Sequence, residues 1–135
     1  MVKLIMDVQG SGKTKDLIAS INESVKQENG SVVCIEKGNT LRYDIHYRVR
    51  LIDIDEYHAE GLAFLKGFIS GLHAGNFDIS RIFIDSLSKI LGADGDKAEE
   101  FCQWCEQFSK QNAVNFTITI SADPEQASEG MKKYL

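Results

Sequence analysis

The chain alternates between short apolar runs and segments whose apolar residues recur with a helical period. Residues 2 to 6 form an apolar run that ends in a glycine-rich turn, as a buried parallel strand does. From Lys13 onward the apolar positions fall on one helical face, and Gly30 supplies a C-terminal stop. Residues 31 to 35 form a second apolar run. The pattern predicts a βαβ unit with a right-handed crossover and a glycine-rich loop before its helix.

Residues 41 to 51 alternate, with apolar side chains at the odd positions and polar or charged side chains between them. A period of two predicts a half-exposed strand, either one long edge strand or two short ones. Arg42, Arg48 and Arg50 would share one face of such a strand. That face is either a solvated edge or a source of guanidinium groups for a phosphate, in cis or across an oligomer interface.

Helical spacing returns over residues 57 to 74, where Gly67 and Gly71 are expected to permit close packing on the sheet. The rest of the chain predicts a buried strand over residues 81 to 85, which ends in a carboxylate, and a short helix over residues 87 to 91. It then predicts a helix from a capping box at Asp96 and Glu99, a strand over residues 114 to 120, and a final short helix with Asp123 as its N-cap. Alternating strands and helices predict a three-layer α/β sandwich around a mainly parallel sheet of about five strands.

Length and composition indicate one domain spanning residues 1 to 135. The net charge of −5 disfavours general electrostatic binding to nucleic acid or to an anionic membrane. The first apolar run is too short for a signal peptide or a membrane span. The chain has three cysteines, and this odd number fits a reducing compartment. We therefore expect a cytoplasmic protein. Cys102 and Cys105 form a CxxC in a helical pattern without a second ligand pair, which predicts helix packing rather than a metal site.

A glycine-rich segment follows the first predicted strand and opens the first predicted helix; it consists of Gly10, Ser11, Gly12, Lys13 and Thr14. Glycines let the backbone curl so that several N–H groups point inward, and the helix N-terminus adds a partial positive charge. Together these features predict an anion site. Lys13 would reach the β- and γ-phosphates of a nucleotide, and the Thr14 hydroxyl would bind Mg²⁺.

Asp85 ends a predicted buried strand and is placed to supply a second oxygen ligand to such a metal ion. The alternative is that its carboxylate only caps the short helix that comes next.

With these two motifs the chain resembles the P-loop NTPase superfamily, because residues 7 to 14 match the Walker A loop and residues 82 to 85 match the Walker B strand. The overall pattern is also similar to small bacterial ATP-binding proteins that are labelled twitching-motility-like. The resemblance implies a P-loop fold that binds ATP and Mg²⁺. In the additional-strand branch of this superfamily, a later strand ends in a polar sensor residue near the γ-phosphate. Ser121 matches that residue by position, with a simple strand-end serine as the alternative.

Two positions depart from the superfamily pattern. Asp7 stands where the Walker A pattern has glycine, and a carboxylate at the mouth of the loop would repel phosphate. We therefore expect weak binding that becomes tighter when Asp7 is replaced by glycine. Ser86 stands where many hydrolysing members carry a glutamate that orients the attacking water, which predicts slow hydrolysis or none.

The sequence thus predicts a nucleotide-binding protein, with a protein partner or an oligomer left open. ATP is favoured over GTP because the chain has no Asn/Thr-Lys-x-Asp segment. Two alternatives remain. One is an active ATPase or a small phosphotransferase, and the other is a degenerate P-loop that serves only as an interaction module.

Overall fold

The computed structural model describes residues 1–8, 10, 12–58, 61–92 and 95–135. Five strands form one sheet: β1 (Val2–Asp7), β2 (Ser31–Glu36), β3 (Arg50–Asp53), β4 (Ile79–Ile84) and β5 (Asn115–Ser121). The helices are α1 (Lys13–Gln27), α2 (Leu62–Gly75), α3 (Leu87–Leu91), α4 (Gly95–Asn112) and α5 (Glu129–Lys132). Short 3-10 helices occupy Ile54–Tyr57 and Pro124–Gln126.

All five strands are parallel and lie in the order β1-β5-β4-β2-β3. This confirms the predicted α/β class and the parallel sheet. β1 and β2, which the sequence joined in one βαβ unit, are separated in the sheet by β5 and β4. The backbone N–H of Leu4 on β1 donates to the carbonyl of Tyr134 at 2.8 Å, so the C-terminal segment lies against β1.

Helices cover both faces of the sheet, which gives the predicted three layers. On one face α1 packs through residues such as Leu17 against Cys34 and Phe83. On the other face α2, α3 and α4 form the larger core, into which Ile82 and Ile84 point. Because β2 and the end of β4 are buried on both faces, they appear in the sequence as nearly continuous apolar runs.

The strand predicted over residues 41 to 51 is wrong over most of its length. Residues 40 to 49 form a turn-rich segment, and only its end continues into β3. The segment is tied to α1 instead of to a neighbouring strand. The side chain of Asn22 donates to the carbonyl of Asp44 at 2.9 Å and accepts from the N–H of His46 at 2.8 Å. These hydrogen bonds replace those that a strand ladder would supply.

Without that strand, the three arginines of the segment do not share a strand face. The guanidinium of Arg42 lies 5.0 Å from the centroid of the Tyr43 ring, and Arg50 donates to a neighbouring backbone carbonyl at 3.1 Å. Neither of these arginines nor Arg48 is among the residues that line the cleft described below. The structure therefore does not place a guanidinium from this segment at a phosphate site in cis.

The capping box predicted for α4 is also wrong, although the helix itself is present. α4 begins at Gly95, so Asp96 lies inside its first turn and is not the N-cap. Glu99 accepts a hydrogen bond from the hydroxyl of Ser128 at 2.6 Å instead of closing the box. The N-cap predicted at Asp123 is confirmed, because its carboxylate accepts from the backbone N–H two residues further on at 2.9 Å.

Gly67 and Gly71 do not serve close packing, contrary to the expectation from the sequence. A Cβ atom built at either position would meet no atom within 4 Å beyond the local helix backbone. Both residues are exposed on α2, whose buried residues are Leu65 and Ile69.

Gly67→Ala and Gly71→Ala should each raise the free energy of unfolding by about 0.5 to 1 kcal/mol, because alanine favours the helix and restricts the unfolded chain. Chemical denaturation measures the change. Gly92→Ala is the matched control, because Gly92 has a φ of +85° that an L side chain rarely adopts, and this variant should lose stability. A loss of stability at Gly67 or Gly71 would show that these positions are packed after all.

Candidate functional site

The carboxyl ends of all five strands lie at one edge of the sheet, because the strands are parallel. The chain leaves β4 toward β5 and leaves β2 toward β3, in opposite directions across the sheet. The crevice between the ends of β4 and β2 is therefore a topological switch point, the place where open α/β sheets bind ligands.

A cleft of about 330 Å³ lies at this edge. It contains every predicted site residue that the structure describes, and Ser11 lies outside the described residues. The residues that line it are Gly10, Gly12, Lys13, Thr14, Thr40, Asp85, Ser86, Ser88, Lys89 and Ser121. The structure thus brings together side chains that the sequence places more than a hundred residues apart.

Gly10 and Gly12 give the loop its backbone geometry. Their φ angles are +88° and +92°, in the region that glycine adopts readily and L side chains rarely do. Gly12, which has no side chain, is the N-cap of α1, and among the described residues no side chain accepts from the first N–H groups of that helix. The unpaired N–H groups and the positive end of the α1 dipole therefore lie at the cleft, as an anion site requires.

Lys13 is held at the cleft by β5. Its Nζ donates to the Oγ of Ser121 at 2.8 Å. Ser121 is the last residue of β5 and pairs in register with Asp7 on β1. An ammonium has three donors, so Lys13 retains two N–H groups that can reach another acceptor.

Asp85 is held by the same strand. Thr119 Oγ1 donates to Asp85 Oδ1 at 2.9 Å, and the N–H of Ser86 donates to Thr119 Oγ1 at 2.8 Å. Ser86 rather than Asp85 is the N-cap of α3, and among the described residues neither of these side chains accepts from a backbone N–H of that helix. The interpretation of Asp85 as a helix cap is therefore wrong. Among the described residues no hydrogen bond reaches Asp85 Oδ2, which leaves this oxygen for a ligand.

Ser86 has φ 57° and ψ 62°, a left-handed conformation that is uncommon for a residue other than glycine. Such backbone costs about 1 to 2 kcal/mol and persists where its surroundings enforce it. Here the hydrogen bond from its N–H to the fully buried Thr119 fixes the turn. This strained turn directs the chain away from Asp85 and into α3.

Reasoning from the sequence missed two residues, Glu36 at the end of β2 and Thr40 shortly after it. Glu36 is buried, and its carboxylate accepts from the N–H of Thr40, the hydroxyl of Thr40 and the N–H of Leu41 at 3.1, 2.9 and 3.3 Å. Thr40 in turn lines the cleft. The available signal was a charged residue at the end of an apolar strand, and the assignment of residues 41 to 51 to a strand concealed it.

α3 adds a second cation, Lys89, which the sequence analysis also missed. Lys89 lines the cleft, and its ammonium has no ion-pair partner among the residues that the structure describes. Asp85 is the one carboxylate in the described lining, which also contains Lys13 and Lys89. The described side chains therefore leave the cleft with a positive balance, which favours an anionic ligand.

Asp7 does not line the cleft in the structure. Its Oδ1 accepts a hydrogen bond from the N–H of Val8 at 2.9 Å, so the carboxylate is turned onto its own backbone. A carboxylate outside the lining repels a phosphate in the cleft less than a carboxylate that lines it.

The cysteines are buried neutral thiols. Burial, and then the negative charges of Asp85 and Glu36, raise the pKa of Cys34. Burial likewise raises the pKa of Cys102 to about 12 and that of Cys105 well above its usual range, and both pack in the core on α4 as predicted. Among the described residues no three His, Cys, Asp or Glu side chains form a metal cluster. Mg²⁺ that accompanies a nucleotide needs only one or two protein oxygens.

No protein-family model matches the chain, and no curated protein matches it. In the described ranges of the chain, no helix combines the length and apolar character that crossing a bilayer requires. The geometry and charge of the cleft are therefore the basis for assigning a function.

Thr119→Val should lower the free energy of unfolding by about 1 to 3 kcal/mol, because it leaves the Ser86 N–H and one Asp85 oxygen without their buried partner. Thr117→Val is the matched control on the same face of β5, since among the described residues the Thr117 hydroxyl makes only a long contact of 3.4 Å with Arg81. Chemical denaturation compares the two variants. Equal losses would show that the network around Asp85 contributes nothing specific.

Proposed function

We propose that the protein binds a nucleotide, with ATP favoured, through its phosphates and Mg²⁺ at this cleft. The observation that carries the proposal is the presence of Lys13, Thr14 and Asp85 in one cleft at the N-terminus of α1. An ammonium and a helix N-terminus attract phosphate oxygens. A hydroxyl and a carboxylate are the oxygen donors that Mg²⁺ prefers, so the residues present fit the metal ion that the resemblance implies.

The strand order supports a place in the additional-strand branch of the P-loop NTPase superfamily. One strand, β5, lies between the strand that leads into the glycine loop and the strand that leads to Asp85. Its last residue, Ser121, contacts Lys13, as a sensor residue near the terminal phosphate would.

We expect hydrolysis to be slow. Asp85 is the one carboxylate in the described lining of the cleft, and a carboxylate that binds a metal ion is a poor proton acceptor. Ser86 offers no base in place of the missing glutamate. Turnover should therefore fall below the usual enzymatic range of about 1 to 1,000 per second.

A small phosphotransferase is the second candidate, because a further cavity of about 400 Å³ adjoins the cleft. The two share Ser88 and Ser121, so they meet beside the ammonium of Lys13. The cavity is lined mainly by apolar side chains such as Leu91 and Ile120, and its size suits a small molecule. Formation of ADP only when a small apolar alcohol is added would favour this candidate over simple binding.

Lys13→Ala should abolish the stabilisation by Mg-ATP and leave the melting temperature of the free protein almost unchanged. The Lys13 side chain makes one exposed hydrogen bond, so its loss costs little without a ligand. For the parent, ligand at about 100 times its dissociation constant adds about 2.7 kcal/mol, roughly 8 to 10 °C for a chain of this size. Lys15→Ala, on the same helix but outside the cleft lining, is the control and should keep the full shift. Equal shifts in Lys13→Ala and the parent would refute the phosphate site.

Asp7→Asn should change the dissociation constant for Mg-ATP by less than about threefold, because the carboxylate is not part of the described lining of the cleft and accepts from its own backbone. This is smaller than the gain that the sequence alone predicts. Asp85→Asn is the comparison and should weaken binding at least tenfold, roughly 1.4 kcal/mol. Titration calorimetry at fixed Mg²⁺ and salt measures both. A tenfold gain in Asp7→Asn would show that the charge does face the phosphates.

A further inference from the structure

Glu36 holds the segment that follows β2 through three hydrogen bonds. It is the final residue of that strand, and only 2% of it is exposed. A carboxylate buried to this degree is costly unless its oxygens are bonded. The bonds come from the backbone and hydroxyl of Thr40 and from the N–H of Leu41. The side chain of Glu36 therefore fixes where the side chain of Thr40 lies.

Thr40 lies across the switch-point crevice from Asp85. The carbonyl of Ile35 on β2 accepts from the N–H of Asp85 at 2.9 Å, so the ends of β2 and β4 are joined at this point. Thr40 follows one of these ends, Asp85 follows the other, and both line the same cleft as Thr14.

The hydrogen bond to Glu36 determines what the Thr40 hydroxyl can bind. A hydroxyl has one proton, and Thr40 donates that proton to Oε1 of Glu36 at 2.9 Å. The Thr40 oxygen therefore presents lone pairs, and no proton, to the cleft. Lone pairs are complementary to a cation, or to a water molecule bound to one, and not to an oxygen of a phosphate.

We propose that Thr40 supplies an oxygen to the Mg²⁺ of a bound Mg–nucleotide, directly or through one water molecule, and that Glu36 is its positioning residue. The inference rests on the proposed function and adds a contact on the β2 side of the cleft. Thr14, Asp85 and Thr40 then offer two hydroxyls and a carboxylate from three segments of the chain, a donor set that suits this ion.

The test measures the dissociation constant for ATP by calorimetry, once with excess Mg²⁺ and once with EDTA. Thr40→Val keeps the shape of the side chain but removes the oxygen. In this variant the increase in ATP affinity that Mg²⁺ gives should be about tenfold smaller, as happens when a metal site loses a supporting group. Its affinity for ATP in EDTA should be unchanged. Thr40→Ser restores the oxygen and should retain the gain. Asp85→Asn serves as the benchmark for a lost oxygen ligand.

Glu36→Gln tests the positioning residue. An amide can accept from the segment after β2 but brings its own donors, so the Thr40 hydroxyl is no longer fixed as an acceptor toward the cleft. This variant should also lose part of the increase in ATP affinity that Mg²⁺ gives. If it fails to fold, the two Thr40 variants still decide the question.

An unchanged gain from Mg²⁺ in Thr40→Val would overturn the inference. An equal loss of affinity with Mg²⁺ and with EDTA would also overturn it, because Thr40 would then act only on the shape of the loop. A parent protein that binds no ATP under either condition is a different result. That result would overturn the proposed function, and the proposed contribution of Thr40 to Mg²⁺ binding would fall with it.

Discussion

The candidate site depends on the parallel pairing of β5 between β1 and β4. Two hydroxyl residues at the end of β5, Thr119 and Ser121, lie two positions apart and therefore on one face of the strand. Thr119 holds the carboxylate of Asp85, and Ser121 holds the ammonium of Lys13. One strand thus sets the separation between the cation of the glycine loop and the carboxylate that follows β4. Neither group is adjacent to the other in sequence, and β1 and β4 are not neighbours in the sheet.

The local parts of this arrangement could be predicted from the sequence, because each is determined within about ten residues. The run before Gly10, the loop itself and the helical period after Lys13 establish a strand, a tight turn and a helix N-terminus. Asp85 could be placed at the same edge because parallel strands align their carboxyl ends. The order of the strands could not be predicted. It depends on which buried faces fit together, and the apolar runs of β2 and β4 do not specify which strands lie beside them.

The incorrect prediction of a strand over residues 41 to 51 also results from contacts between residues that are distant in the sequence. Alternation of side chains indicates a strand only where the backbone has no better partners than a neighbouring strand. Here Asn22, about twenty residues earlier, and Glu36 at the end of β2 bind the segment by their side chains. Such hydrogen bonds cannot be recognised from the spacing of apolar residues along the chain. They also explain why Thr40, which this segment brings to the cleft, was not foreseen.

The distribution of charge reconciles an acidic chain with an anion site. Most of the carboxylates that give the net charge of −5 lie outside the cleft, and beyond about 8 Å solvent and salt screen them at physiological ionic strength. Two ammonium groups, those of Lys13 and Lys89, and one carboxylate, that of Asp85, belong to the described lining of the cleft. The carboxylate of Glu36 is buried, accepts from Thr40 and lies outside that lining. This set of charges suits a phosphate that carries its own metal ion, because the ammonium groups attract the phosphate oxygens and the metal ion offsets the negative charge of Asp85.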